Sequence, residues 1–508
     1  MIRVSRENLV PLGAGGFVLS LVAVKLLVHV YTSLHDSYFR DELYYLACSR
    51  HLDWGYVDQP PLIALIAWLV RSTIGQSVVA IRLLPAVAGA CEVAFAAWIA
   101  RELGGGRIAQ GLAALATLVA GGILAIDSFL SMNAFEPLFW TGCAWIVIRI
   151  IKTGNQKLWI WFGILAGFGL ENKHTMLIFG GGLVLGLLLT PQRKAFLSPW
   201  IWIGGVIAFL IFLPNLVWNI QHHFPFIEEQ INIRRSGRDV ALSPLAFLGQ
   251  EILTMHPLTL PIWAAGLWFY FSARGKEFRA LSWAWIFTAI VIVTVSPRVY
   301  YLYPSFPILF AAGGVFWEAR THWRRYVWPI AIAASAIFAA PFAMPILPVE
   351  TYIKYSKALH FGPPAIENFK LGPLPQFFAD HFGWEDMTVE VARVYNNLPP
   401  EVRAKTAVFG QNYGEAGAID LFGPKYGLPP AISGHQNYFL WGPRGYTGES
   451  MIVMHGDRQD LEQKFAEVQK VGTVDNPYSM PFEHFDIYYC RGLKTPLSEA
   501  WPRVKTWS

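Results

Sequence analysis

Charge is scarce in this chain. Asp, Glu, Lys and Arg make up only 15% of 508 residues, while 54% are hydrophobic. That is too little polar surface to solvate a string of soluble domains. The net charge is only +5 and no basic tract carries interleaved aromatics, so nucleic acid is excluded as an expected partner. Cysteine is almost as rare, and the four present show no metal spacing. Cys91 and Cys143 lie inside apolar runs and read as core thiols. Cys48 and Cys490 both fall where an oxidising compartment is expected, but no spacing assigns a bridge between them. His222 and His223 are adjacent rather than four apart, and neither His256 nor Glu228 and Glu229 supplies a zinc-binding context, so no metal is expected. There is no internal repeat, no low-complexity tail and no Asn-x-Ser/Thr sequon.

Apolar sequence is what the chain has in abundance, in runs approaching the roughly 20 residues that span a hydrocarbon core. Eleven are read as membrane spans: 10–33, 78–100, 108–126, 134–151, 157–171, 174–190, 200–219, 246–271, 280–296, 300–317 and 327–346. Basic residues precede the first, which is too long for a signal-peptide core and reads as uncleaved. Segment 61–74 is too short and follows Pro60-Pro61, so it reads as an interfacial helix. His256-Pro257 marks a break inside run 246–271. With the N-terminus inside, connections 101–107, 152–157, 191–194, 272–279 and 318–326 are short and carry Lys or Arg, as cytoplasmic loops do. Residues 347–508 then lie outside. Helix-like stretches 384–397, 413–422 and 458–470 alternate there with strand candidates 406–410, 449–456 and 485–492, which predicts a small α/β domain. The expected fold class is a mostly α-helical polytopic membrane protein, with a transmembrane domain over 1–346 and an outer α/β domain over 347–508.

The non-cytoplasmic ends of the spans collect a different population. Asp41, Glu42 and Asp58 sit in the first loop; Asp127, Asn133 and Glu136 are near the next turn; Glu171, Asn172, Lys173 and His174 follow. The stretch 221–239 and then Arg298, Tyr300 and Tyr301 complete the set. Ionisable groups converging on one membrane face mark a candidate site. In "DELYYLACSRHL", Tyr44, Tyr45, Leu46 and Leu52 are spaced for an amphipathic helix along the surface. Asp41 and Glu42 are then either first-turn acids favoured by the helix dipole, or include a carboxylate that accepts a proton from a substrate hydroxyl. Lys173 is likewise either a snorkelling residue or a site cation. "NYGEAG" (412–417) has no phosphate-loop spacing and reads as a turn and helix start on the active-site side.

The pattern "DELYY…HLDWGYVDQPPL" resembles the first-loop signature of the protein O-mannosyltransferase-like family, which includes bacterial aminoarabinose transferases. "RLLPAVAGA" (82–90), "LSMNAFEPLFW" (130–140), "GLENKHTMLIFG" (169–180), "MHPLTLPIW" (255–263) and "YYLYPSFPILFAAG" (300–313) continue the match in order through about the first 320 residues. The resemblance implies a GT-C membrane glycosyltransferase that moves one sugar from a polyprenyl-phosphate donor. The acceptor would be an extracytoplasmic glycan, lipid A or protein, attacked by inverting displacement. It implies Asp41 as base, with Glu42 as a structural or tuning neighbour. Lys173, Arg298, Arg82 and Arg40 are the candidate donor-phosphate ligands, with Tyr300 or Tyr301 donating hydrogen bonds. Glu136, Asn133, Asp58 and His174 are candidates for sugar or acceptor. Two departures stand out: Arg298 occupies a slot where relatives often have Lys, and Asn133 and Glu136 stand where a second Asp is common. The leaving phosphate is already anionic, so fixed cations suffice and no cofactor is required, a divalent cation being left open. The implied location is a bacterial inner membrane with the site facing the periplasm. The alternative class, a transporter or flippase of lipid-linked saccharides, calls for inverted repeats and midplane charges, and the sequence shows no repeat.

Overall fold

The computed structural model describes residues 12–295, 298–320 and 324–507. The basic stretch before residue 12 and part of connection 318–326 lie outside the described residues. The apolar runs fold as helices, among them Leu12–Leu34, Val78–Glu102, Glu136–Thr153, Pro199–Gln221, Arg279–Val295 and Phe306–Glu318. Two runs are interrupted. Run 108–126 divides into Arg107–Val119 and Gly121–Ile126. Run 246–271 divides at His256-Pro257, where the two halves meet at 98°; proline has no N–H to continue the ladder.

Six helices among the described residues are long and apolar enough to cross a bilayer, or up to eight if each bent pair is one span. The eleven expected crossings are therefore not all present as full-length helices. Trp159–Asn172 has 14 residues and Arg107–Val119 has 13, about 20 Å at 1.5 Å per residue, against about 30 Å of hydrocarbon. Small residues bring the helices together: Gly163 lies against Gly204, and Gly266 against Gly313, as packing in lipid favours. The molecule is a multi-pass membrane protein.

Outside this helical part, five strands form one mixed sheet: β1 (Thr406–Gly410), β2 (Ile432–Ser433), β3 (Ser450–Met454), β4 (Phe465–Val474) and β5 (Phe485–Leu493), in the order β2-β1-β3-β5-β4. β1 runs parallel to β2 and β3, with Val408 opposite Ile452; β5 is antiparallel to both β3 and β4. The helix expected over 458–470 stops at Lys464, and β4 follows at once. Its polar side chains face water along an edge strand, and Lys470 pairs with Asp486 of β5 at 2.6 Å, which offsets its weak apolar signal.

The two parts share a core. Leu43, Tyr44, Leu46, Ile63 and Leu130 pack with Trp384, Val391, Val408, Ile419 and Ile452. This corrects the reading of residues 41–52 as a surface helix: Arg40–Cys48 is buried nearly all round, because the helix Tyr413–Phe422 of the outer part covers the face that would have met water. The four cysteines are free, and Cys48 and Cys490 belong to separate cores.

Candidate active site

Asp41 and Glu42 are consecutive in one helical turn, so their side chains diverge by about 100°. The structure gives them different surroundings. Glu42 is fully buried and accepts hydrogen bonds from the Phe39 amide (2.8 Å), the Leu130 amide (2.7 Å) and Arg82 Nε and Nη2 (2.8 and 2.7 Å). Arg82 also donates to Asp36 at 2.6 Å and to the Ser37 carbonyl at 2.7 Å. His381 Nδ1 lies 2.8 Å from Asp36. Burial works against the Asp36 carboxylate, but His381 and Arg82 outweigh it and hold its carboxyl well below the usual range. Glu42, expected as a structural or tuning neighbour of the base, and Arg82, expected as a donor-phosphate ligand, bond to each other instead of facing the cavity. Neither lines the cavity, because each is saturated by the other and by its neighbours.

Asp41 faces the other way, into a cavity of about 970 Å³. Its Oδ1 accepts a hydrogen bond from the Tyr413 hydroxyl at 2.7 Å, and its side chain is 29% exposed. Arg40 lines the same cavity at 3.9 Å from Asp41 and 4.0 Å from Asp380, with its Nε buried and without a hydrogen bond. Burial lifts the Asp380 carboxyl to about 6, against the pull of Arg40. Asp58 also lines the cavity and accepts from the Tyr44 hydroxyl at 3.0 Å. Burial, reinforced by Glu229, raises its carboxyl well above the ordinary range.

Two further cations, Lys173 and Arg298, line the cavity. Lys173 ends the helix Trp159–Asn172 and donates to Asn133 Oδ1 (2.7 Å) and Glu136 Oε2 (3.1 Å); its Nζ stands 4.2 Å from the Tyr301 ring centroid and 5.2 Å from that of Tyr300. Arg298 donates to Asp239 at 2.7 and 3.0 Å and to the Tyr300 hydroxyl at 3.2 Å, and reaches Glu367 at 3.4 Å. Arg40, Lys173, Arg298, Tyr300, Tyr301, Asn133, Asp58 and His174 all line the cavity. Glu136 does not. It sits behind Lys173 as its counter-ion and also accepts from the Thr175 hydroxyl, so its expected contact with sugar is replaced by a role in placing that lysine. His174 Nε2 donates to Asn215 Oδ1 at 3.2 Å. Among the described residues no group of three or more His, Cys, Asp or Glu side chains is placed to hold a metal ion.

Beyond the cations the lining turns apolar, through Val119, Leu124, Leu253, Ile292, Phe338 and Phe342. Polar and apolar regions are one continuous space. It suits an amphiphile with an anionic group at the boundary between the two.

Several lining residues had no individual assignment from the sequence. Glu229, Arg238 and Asp239 fall in the stretch 221–239, which carried the signal only as a block. Glu367 comes from the proline-containing strand of chain around 363–367, docked by an antiparallel bridge to Asp239 and an ion pair to Arg238 at 2.7 Å. Nothing local announces it. Tyr413 was legible only as part of "NYGEAG".

The family of dolichyl-phosphate-mannose-protein mannosyltransferases matches residues 58–218. Among solved structures, ArnT from Cupriavidus metallidurans bound to undecaprenyl phosphate superposes with a TM-score of 0.65 over 93% of this chain and 98% of that one, at 15% identity. The chain has the GT-C fold. A second similar structure is the archaeal oligosaccharyltransferase AglB from Archaeoglobus fulgidus, in complex with an inhibitory peptide and a dolichol-phosphate: TM-score 0.52, 11% identity, 86% of this chain and 69% of that one. In sequence, the lipid A galacturonosyltransferase RgtD of Rhizobium johnstonii is 24% identical over 316 residues, which cover 59% of this chain. The chain spans 63% of that relative's length. The GT-C resemblance read from residues 38–313 is thus matched in both sequence and fold.

Proposed function

We propose that this GT-C protein is a glycosyltransferase that moves one sugar from a polyprenyl-phosphate donor to an extracytoplasmic hydroxyl. One observation carries the reading: Asp41, Lys173 and Arg298 line a single cavity that continues into an apolar channel. The likenesses to ArnT with bound undecaprenyl phosphate and to RgtD support a lipid-linked donor and a glycan or lipid acceptor, a protein acceptor being the further class. The basic connections on the opposite face support a bacterial inner membrane with the site toward the periplasm.

The polyprenyl chain would lie along Leu253, Phe338 and Phe342, with the phosphate held by Lys173 and Arg298. Asp41 takes the proton of the acceptor hydroxyl as that oxygen attacks the anomeric carbon. The bond from that carbon to the phosphate oxygen breaks with its electron pair, and polyprenyl phosphate leaves as the anion that the cations stabilise. One bond forms and one breaks on opposite faces of the sugar, which inverts the anomeric centre. Asn133, Asp58 and His174, which line the same cavity, would meet sugar or acceptor hydroxyls. The leaving group needs no metal to neutralise a diphosphate, so transfer should persist in EDTA; loss of activity that a divalent cation restores would contradict this.

The test uses purified full-length protein in lipid nanodiscs, a panel of undecaprenyl-phosphate monosaccharides and an envelope extract as acceptor. Release of undecaprenyl phosphate and the mass gain of the acceptor are followed. Asp41→Asn should lower turnover by about 100-fold or more while still binding undecaprenyl phosphate. Full activity in that variant overturns the assignment.

A further inference from the structure

The outer part does more than cover the cavity. Its helix Tyr413–Phe422 begins at Asn412, whose side chain accepts from the Glu415 amide at 2.9 Å, while Glu415 accepts from the Gln411 amide at 2.7 Å. The Asn412 cap satisfies an amide of the first turn, and Glu415 ties that turn to the residue before it. The helix then lies directly on Arg40–Cys48. A Cβ on Gly414 would stand 2.6 Å from Arg40 Cγ, and one on Gly417 would stand 2.9 Å from the Leu43 carbonyl carbon. Only glycine permits that approach without a shift, and the approach brings the first residue of one helix onto the first turn of the other.

That residue is Tyr413. Its amide donates to His435 Nδ1 at 3.1 Å, and its ring is stacked on the His435 ring with centroids 5.0 Å apart and planes 3° apart. The Tyr44 ring lies 4.8 Å away, and the Arg40 guanidinium stands 5.5 Å from the Tyr413 centroid. Held on these sides, the hydroxyl donates to Asp41 Oδ1 at 2.7 Å across 372 residues of chain. Burial pushes the phenol well above its ordinary range, so it keeps its proton and acts as a donor.

We infer that Tyr413 is a positioning residue supplied by the outer part, which fixes Asp41 Oδ1 so that Oδ2 is presented to the acceptor hydroxyl. The inference rests on the reading of Asp41 as base. A carboxylate free to rotate would spend part of its time with neither oxygen in line with the acceptor, and a misplaced base loses rate steeply. The hydrogen bond therefore acts on the chemical step and not on the grip of Lys173 and Arg298 on the phosphate. The catalytic arrangement is complete only when the outer part is docked.

The experiment compares wild type, Asp41→Asn and Tyr413→Phe as full-length proteins in nanodiscs, using the undecaprenyl-phosphate monosaccharide that the panel selects. Tyr413→Phe keeps the ring and its stacking. It should lower kcat by about tenfold to a hundredfold, the worth of one hydrogen bond to a charged group. Binding of undecaprenyl phosphate should stay within about twofold, because a tenfold change would require the hydrogen bond to act on the phosphate. A 2,3-difluorotyrosine at position 413, which keeps the ring and the donor, should hold kcat within about twofold of wild type; this covers the case in which the phenylalanine variant does not fold. Tyr478→Phe, at a half-buried tyrosine that does not line the cavity and whose hydroxyl bonds Glu350, should change nothing. Wild-type kcat in Tyr413→Phe, or a tenfold loss of kcat in the difluorotyrosine variant with undecaprenyl phosphate still bound, with Asp41→Asn inactive, would overturn the positioning role and leave the proposed function standing. An active Asp41→Asn would overturn both.

Discussion

At the scale of single residues, adjacency in sequence and adjacency in chemistry part company. Asp41 and Glu42 carry the same functional group one bond apart along the chain. One is bound by four donors and sealed; the other has a single donor and a cavity before it. Burial separates the outer acids as well. Asp380 is lifted to about 6, whereas an unfolded Asp titrates near 3.9. Between those values the folded chain holds a proton that the unfolded chain does not, so the stability linked to Asp380 falls as pH rises through about 6. Going from pH 7 to pH 5, the wild type should gain about 1 kcal/mol of unfolding free energy relative to Asp380→Asn. Matched thermal melts at the two pH values measure this, and parallel pH dependences would contradict it.

At the scale of elements, buried ion pairs fix how the first loop meets the spans. Arg82, in the helix Val78–Glu102, ties Glu42, Asp36 and the Ser37 carbonyl into one knot. Arg82→Met would leave two buried carboxylates without their cation and should cost about 3–5 kcal/mol, seen as a lower melting temperature. An unchanged melt would mean the knot is not a structural element. This knot was only half legible beforehand. The sequence shows that Arg82 and Glu42 share a membrane face, but nothing in their spacing says that they satisfy each other rather than a substrate. Hydropathy located the apolar runs and the break at His256-Pro257, because both are written in local composition. It overstated the number of full-length spans, because short helices such as Trp159–Asn172 are as apolar as long ones. It missed β4, whose polar edge carries a helix-like pattern.

At the scale of the whole molecule, the site is a joint product of segments that are remote in the chain. The first loop supplies Asp41 and Asp58, the helical part supplies Lys173 and Arg298, and the outer part supplies Tyr413, Glu367 and Gln436 to the same cavity. The first two contributions were readable because their residues recur in the ordered motifs of 38–313. The third was not, because its members are placed by packing across hundreds of residues and carry no motif of their own. The central claim is that a lipid-linked anion sits between Lys173 and Arg298 with its chain in the apolar channel and Asp41 across the cavity. A structure of the full-length protein in nanodiscs with undecaprenyl phosphate tests it most directly. The phosphate is predicted within hydrogen-bond distance of Lys173 and Arg298, with the chain along Phe338 and Phe342. A phosphate bound outside this cavity, or one touching neither cation, would contradict it.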